Sequence, residues 1–300
     1  MKVINQVIGN SFAAYNADCV EFTAGLPDNS LDFSVYSPPF SSLYIYSESC
    51  RDMGNVAGDD EFFETYRHVI REKLRATRPG RLSSIHVKDL VYYSNASEKG
   101  DRGLRDFTGE CIRAHVEEGW TFHSRVTIWR CPVKEMQKSK PDGLLYKNFR
   151  TDAGRVRAGM PEYLVSFRKW SEDMVETAPI IHDPSQHPLE TWQDLASPVW
   201  MNMRETNVLN VKIARDDESE KHLCPMPLDI TERAIRLYTN PGDTVYSPFM
   251  GIGSEGWQSL KMGRRFIGTE LKPAYFRQAV MNLKQAEAEG GAGDLFASVG

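Results

Sequence analysis

Hydrophobic and polar positions change period along the chain, and each change predicts a new element. A tight apolar run, Leu31–Tyr36, follows the turn Leu26-Pro27-Asp28-Asn29-Ser30 and reads as a buried strand. It stops at Ser37-Pro38-Pro39-Phe40. Two prolines cannot donate to a ladder, and each restricts the residue before it, so this tetrapeptide is a rigid, extended exit from a strand edge. Over residues 62–77, Phe62, Phe63, Tyr66, Val69, Ile70 and Leu74 recur at helical spacing, and Pro79-Gly80 closes the segment as helices are closed. A strand over 81–87, an amphipathic helix over 105–118 and a strand over 122–129 come next. Further on, Val245 opens a short apolar run, Gly251 and Gly253 lie in a loop, and a segment of helical composition leads to Arg265-Phe266-Ile267-Gly268, which closes on Glu270. This alternation implies an α/β fold with a three-layer arrangement around one sheet. Between the predicted elements lie a polar loop at 41–60, rich in Ser, Tyr and Gly, and a tail at 286–300 that is expected to fray.

Composition narrows the class. With 300 residues, 41% hydrophobic and 26% charged, the chain has ample material for a buried core in one large domain, or in one domain with an insertion. Its start, MKVINQVIGNSF, lacks a basic segment followed by an apolar stretch, and no run approaches the ~18 apolar residues that span a bilayer, so a cytoplasmic protein without a membrane partner is expected. The five cysteines are widely spaced, with no Cys-x-x-Cys pair, and read as reduced thiols. His182 and His187 lack an acidic or cysteine partner at ligand spacing, so no metal site is expected. A formal net charge of −5 excludes a uniformly basic coat, so any polyanion must meet a local patch. Residues 134–170 supply one: nine basic residues against four acids, with Tyr146, Phe149 and Tyr163 interleaved. Such a run is ordinarily a solvated face, yet in an acidic chain it is also where phosphates would bind, through Lys138, Lys140, Arg155 and Arg157.

Two stretches carry chemistry. The loop around Gly251 and Gly253 permits close backbone approach to a ligand, and Glu270, nineteen positions after Gly251, suits a ribose because a carboxylate accepts from both hydroxyls. The third glycine of a pyrophosphate cradle is missing and Phe249 stands just before the loop, so a nucleoside without phosphate fits better, the bland reading being a glycine-rich turn with no ligand. At the tetrapeptide, Ser37 Oγ and the Pro38 carbonyl are fixed acceptors beside the aromatic Phe40, a cradle for an aromatic amine; the bland reading is a turn that ends a strand. His86, near the end of its predicted strand, either faces the same cleft or is a satisfied structural group.

Ser37-Pro38-Pro39-Phe40 resembles the catalytic tetrapeptide of the DNA amino-methyltransferases, and Pro248-Phe249-Met250-Gly251-Ile252-Gly253 resembles their S-adenosylmethionine loop. The order, tetrapeptide first and cofactor loop last with a recognition region between, is that of the β class. Asp18-Cys19, residues 222–233 (HLCPMPLDITER) and Glu270-Leu271-Lys272-Pro273-x-Tyr275 agree with it. The resemblance implies a Rossmann-like, S-adenosylmethionine-dependent fold with a mixed central sheet and helices on both faces. It also implies a catalytic half at 1–133, a target-recognition insertion at 134–221, a cofactor half at 222–285 and a flexible tail. By the same resemblance Asp18 lies at the cofactor's adenine, Glu270 at its ribose, Phe249, Gly251 and Gly253 along its site and Pro225 near its methionine end, with Cys19 and Ser254 also cofactor-binding. Where the family commonly has Asp before Pro-Phe, this chain has Ser247, a gap that Asp243 or Glu255 is available to fill.

The activity implied by this resemblance is methyl transfer from S-adenosylmethionine to the exocyclic amine of a base flipped out of double-stranded DNA and held against Phe40. A tetrapeptide opening with Ser is associated in the family with cytosine N4, whereas the longer pattern SPPFSSLY…RDMGN resembles phage- and prophage-borne members assigned to adenine N6 with relaxed sequence choice; adenine is the expectation, cytosine the alternative. RNA or protein methylation, a nuclease-coupled role and a purely DNA-binding role are the competing functions, and a homodimer is an assembly the reading allows.

Overall fold

The strand Leu31–Tyr36 is buried at all six positions, as a strand covered on both faces must be, and a nine-stranded sheet is built around it. The computed structural model describes residues 3–39, 59–94, 99–139, 144–172, 177–210 and 225–297. In chain order the strands are β1 (Val3–Ile8), β2 (Phe12–Ala17), β3 (Leu31–Tyr36), β4 (Thr77–Val87), β5 (Leu90–Tyr92), β6 (Gly103–Arg105), β7 (Thr121–Ile128), β8 (Glu162–Arg168), β9 (Val199–Trp200), β10 (Thr244–Ser247) and β11 (Arg265–Glu270). The helices are α1 (Cys19–Ala24), α2 (Asp59–Ala76), α3 (Phe107–Glu117), α4 (Pro132–Ser139), α5 (Tyr146–Thr151), α6 (Leu189–Leu195), α7 (Leu228–Tyr238), α8 (Ser254–Lys261) and α9 (Pro273–Ala297).

The main sheet runs β1-β2-β11-β10-β3-β4-β8-β7-β9, and β5 pairs with β6 separately. Strands β2, β11, β10, β3 and β4 are mutually parallel, while β1 and β8 run against their neighbours. Alternate residues of the same strands feed two cores: Phe33, Val35 and Leu164 join the core under α7, α8 and α9, whereas Tyr36, Val165 and Phe167 join that of α2 and α3. Helices thus cover both faces, and the fold expected from the family resemblance is the one found.

Two local expectations change, at Pro79-Gly80 and in the tail. Pro79-Gly80 does not stop a helix: α2 ends at Ala76, and β4 runs through the pair because Gly80 takes a left-handed φ of 78° and its N–H donates to Lys169 O. The register of β3 on β4 shifts there to absorb the extra residues. The segment 134–221 contributes β8, whose Leu164, Val165 and Phe167 are buried, and β9 to the main sheet. Finally, the tail expected to fray after Gln285 continues as α9 to Ala297; Ala286 is fully buried, Glu287 accepts from Ser11 N at 2.6 Å, and Glu289 pairs with Lys261 at 2.8 Å. Its alternating Ala and Glu are good helix formers, and these contacts anchor them.

Candidate active site

Because β2, β11, β10, β3 and β4 are parallel, their C-terminal ends lie along one edge of the sheet. That edge carries Asp18 after β2, Glu270 ending β11, the 248–253 loop after β10, Ser37-Pro38-Pro39 after β3 and His86 at the end of β4. From β3 the sheet continues to β4 on one side, and from β10 to β11 on the other, so the order reverses between β3 and β10. A crevice outside the carboxyl ends of the strands at such a switch point is where open α/β sheets bind ligands. The two motifs singled out in the sequence flank it.

The loop after β10 is built for close approach. Gly251 and Gly253 have φ of 52° and 88°, in the left-handed region that side chains disfavour, and a Cβ on Gly251 would project into open space. The Glu270 carboxylate holds this loop, accepting from Gly251 N at 3.0 Å and Lys272 N at 2.8 Å. On the neighbouring strand Asp18 caps α1, accepting from Val20 N at 2.8 Å, and Cys19 is a buried free thiol whose pKa burial raises. Phe249 is half-buried and packs on Tyr36 and Tyr66, with ring centroids 5.6 and 6.4 Å apart, tying the loop to the strand that bears Ser37. Ser254 is buried in the first turn of α8, and Pro225 lies just before α7, half-buried. Asp18, Cys19, Phe249, the Gly251–Gly253 loop and Glu270 thus lie together at this edge, with the Glu270 carboxylate holding the loop.

Of the two acids available to replace the one missing at Ser247, Asp243 is excluded. It precedes β10, at the opposite edge of the sheet, where it accepts from Asn240 N and pairs with Arg81 at 3.0 Å. Glu255 sits on the correct side, in the first turn of α8, only 3% exposed; burial, with Glu270 adding to it, pushes its carboxyl up to about 8 from the usual 4.5. An acid with a raised native value holds its proton more tightly folded than unfolded, so its contribution to stability falls as pH rises from about 4.5 towards 8. Glu255→Gln is expected to flatten the pH dependence of the melting temperature across that window, and an unchanged slope would mean that the carboxyl does not titrate there.

The strand end bearing Ser37 is braced by groups that carry no sequence signal. Tyr36 is fully buried; its hydroxyl lies 2.8 Å from that of Tyr66 and accepts from Lys73 Nζ at 2.5 Å, and Lys73 also donates to Ser83 Oγ. Burial holds the Lys73 amine well below its ordinary value. On the open side, Ser37 Oγ stands 3.2 Å from His86 Nδ1, which sets His86 beside the tetrapeptide. The far nitrogen, Nε2, lies 2.7 Å from Glu162 Oε2, which also pairs with Arg130. Sequence reasoning misses Glu162 and Arg130: one opens β8 and the other follows β7, and antiparallel pairing brings both to the same edge. Pro38 is buried and Pro39 half-buried, while Phe40 and nearly all of the 41–60 loop lie outside the described residues.

The expected DNA-facing residues separate by environment. Arg155 is exposed, with a loose pair to Asp152 at 3.4 Å, beside Tyr146 and Phe149, which are exposed and stacked at 6.0 Å. Arg157 is committed to Glu135 at 3.2 Å and to Ala158 O. Arg168 and Lys169 serve the fold, donating to the carbonyls of Gly80 and of Arg75 and Thr77. Lys140 and the Lys138 side chain lie outside the described residues. His182 and His187 stack at 4.9 Å, and among the described residues no group of three or more His, Cys, Asp or Glu is arranged to hold a metal. No helix among these residues is long and apolar enough to cross a membrane.

Comparison with known proteins agrees with this geometry. The family model for N6/N4 methyltransferases, described as DNA methylase, matches residues 31–281, and the chain belongs to that family. M.BglI, a type II methyltransferase of Bacillus subtilis, is 30% identical over 324 residues, covering 92% of this chain and 86% of its own. M1.MboII of Moraxella bovis is 42% identical over 66 residues, so that match spans only a quarter of the relative. Among solved structures, TTHA0409 of Thermus thermophilus, complexed with S-adenosyl-L-methionine, shares the fold with a TM-score of 0.65 at 20% identity, over 90% of this chain and 94% of that one. PvuII DNA methyltransferase, described as cytosine-N4-specific, does so with a TM-score of 0.64 at 16% identity, over 96% of each.

Proposed function

We propose that the protein transfers a methyl group from S-adenosylmethionine to the exocyclic amine of a base in double-stranded DNA. The observation that carries the proposal is the meeting of Ser37-Pro38-Pro39 and the Gly251–Gly253 loop at the switch point of the sheet, in a chain of this family. Bound S-adenosylmethionine supplies a methyl on a positively charged sulfur. The chain has to supply position. An exocyclic amine is a poor nucleophile because its lone pair is delocalised into the ring; acceptors at Ser37 Oγ and Pro38 O hold its two N–H bonds and direct the lone pair at the methyl. Catalysis is then in-line positioning plus electrostatics, without a covalent enzyme intermediate. The amine is out of reach in a stacked duplex, so the base is extruded first.

For the base, the proposal is adenine N6, carried by the pattern SPPFSSLY…RDMGN alone. The relatives do not decide it, since PvuII methyltransferase is cytosine-N4-specific and YhdJ of Escherichia coli, 36% identical over 70 residues, is a DNA adenine methyltransferase. Incubating the protein with unmethylated DNA and labelled cofactor, then identifying the modified nucleoside by mass, tests both levels. N6-methyladenine supports the full proposal and N4-methylcytosine corrects the base. Label appearing in RNA or protein but not DNA overturns the function.

The basic stretch is proposed to hold DNA through phosphates. Neutralising Lys138, Lys140 and Arg155 together is expected to weaken binding to all sequences alike and to flatten the slope of log affinity against log salt by about 0.9 per lost contact. Arg157 is left in place because Glu135 engages it. An unchanged salt slope would move the DNA-binding face elsewhere.

A further inference from the structure

We propose that Ser37, His86 and Glu162 form a relay that locks the Ser37 hydroxyl as an acceptor toward the target amine and draws off the proton that the amine loses. The inference rests on the methyl-transfer reading above and assigns His86 a place in it. A serine hydroxyl can donate or accept. An amine that must keep its lone pair free for the methyl needs an acceptor, so something has to commit the serine proton elsewhere.

The geometry does this in two steps. Glu162 is half-buried beside Arg130, whose guanidinium pairs with the same carboxylate oxygen that faces His86 Nε2, and Glu205 stands behind Arg130 at 3.8 Å. Although burial alone would raise it, His86 and Arg130 hold the Glu162 carboxyl well below the usual carboxylate range. An ionised carboxylate only accepts, so at 2.7 Å the Nε2 position of His86 must carry the hydrogen. In the neutral ring this leaves Nδ1 bare, and at 3.2 Å from Ser37 Oγ it accepts the serine proton. The Ser37 lone pairs then face the crevice. Among the described residues, the imidazole is bonded by Ser37 from the end of β3 and Glu162 from β8, with Arg130 after β7 completing the chain of charges.

The same line of hydrogen bonds is a proton path. Methyl transfer forms the N–C bond and breaks the S–C bond, whose electron pair stays on sulfur, leaving the new secondary amine one proton in excess. That proton passes to Ser37 Oγ as the serine's own proton moves to His86 Nδ1, and the resulting imidazolium is stabilised by Glu162 until it releases the proton to water.

The first measurement needs no turnover: nitrogen NMR of the histidine side chains of the wild-type protein is expected to show His86 with Nε2 protonated and Nδ1 bare, and the opposite tautomer would overturn the inference. The second is the single-turnover rate of methyl transfer to DNA from a methylation-deficient host. His86→Asn keeps an acceptor near the Nδ1 position but no base; its rate is expected to fall about 100-fold, at the lower end of the range for proton-transfer groups. Glu162→Gln is expected to slow transfer as well and to lose the fixed His86 tautomer in the same nitrogen NMR experiment. Calorimetric cofactor affinity should be unchanged in both variants. A wild-type rate in His86→Asn would overturn the relay while leaving the methyltransferase reading intact; a wild-type protein that transfers no methyl to DNA would overturn that reading and the relay with it.

Discussion

Replacing Ser37 by alanine is expected to lower the single-turnover rate of methyl transfer by roughly 10²–10³-fold, the range for removing one preorganised hydrogen-bonding group from a reacting centre, while S-adenosylmethionine binds as before. The two effects separate because of where the groups hang. Ser37 leaves the end of β3 and turns toward His86, whereas the proposed cofactor groups belong to β2, β10 and β11. The brace beneath Ser37 does not depend on its hydroxyl: Tyr36, Tyr66 and Lys73 hold the strand end from inside the core. The variant therefore keeps its shape and its Pro38 carbonyl but holds only one N–H of the amine. Rapid-quench measurement with tritiated cofactor gives the rate, and calorimetry the affinity. A variant that loses cofactor binding yet turns over bound cofactor normally would put Ser37 in the cofactor site instead.

The parts of this molecule legible in its sequence are those where local pattern and tertiary role coincide. Leu31–Tyr36 reads as a buried strand because it is a tight apolar run, and Pro38-Pro39 mark its end because proline cannot continue a ladder. The glycines at 251 and 253 and the acid at 270 are visible because a loop that approaches a ligand tolerates few other residues there, and the structure shows Glu270 binding the Gly251 amide directly. Pro79-Gly80 misleads for a physical reason: the pair usually ends helices, but here the lysine after β8 bonds its backbone and turns it into a strand irregularity.

The partners of His86 are beyond local pattern altogether. Glu162 lies 76 residues from it, and only the antiparallel insertion of β8 between β4 and β7 brings the two together. Nothing in the composition around 130–170 separates Arg130 and Glu162, which face the crevice edge, from Arg168 and Lys169, which bond carbonyls at the other end of the sheet. Charge counting assigns that segment one role. The sheet divides it into structural cations, the half-buried Arg130–Glu162 pair and the exposed Arg155.

The Glu270→Ala substitution is expected to weaken S-adenosylmethionine binding by about 1–3 kcal/mol, the cost of losing charge-assisted hydrogen bonds to the ribose. The structure adds a competing cause, because the same carboxylate holds the Gly251 and Lys272 amides, so a loosened loop would also reduce affinity. Two comparisons divide these. Glu270→Gln keeps one oxygen that can accept from Gly251 N–H or Lys272 N–H but not both, and cannot accept from two ribose hydroxyls with both its terminal atoms; it is expected to restore part of the melting temperature lost in the alanine variant and a smaller part of the affinity. Adenosine and 2′,3′-dideoxyadenosine, used as probe ligands, test the ribose directly. The wild-type protein should prefer adenosine, and Glu270→Ala should bind both alike. If the variant keeps the wild-type preference for adenosine, Glu270 is a loop-holding residue and the ribose must be met by another group on the same edge, with Asp18 after β2 the next to substitute.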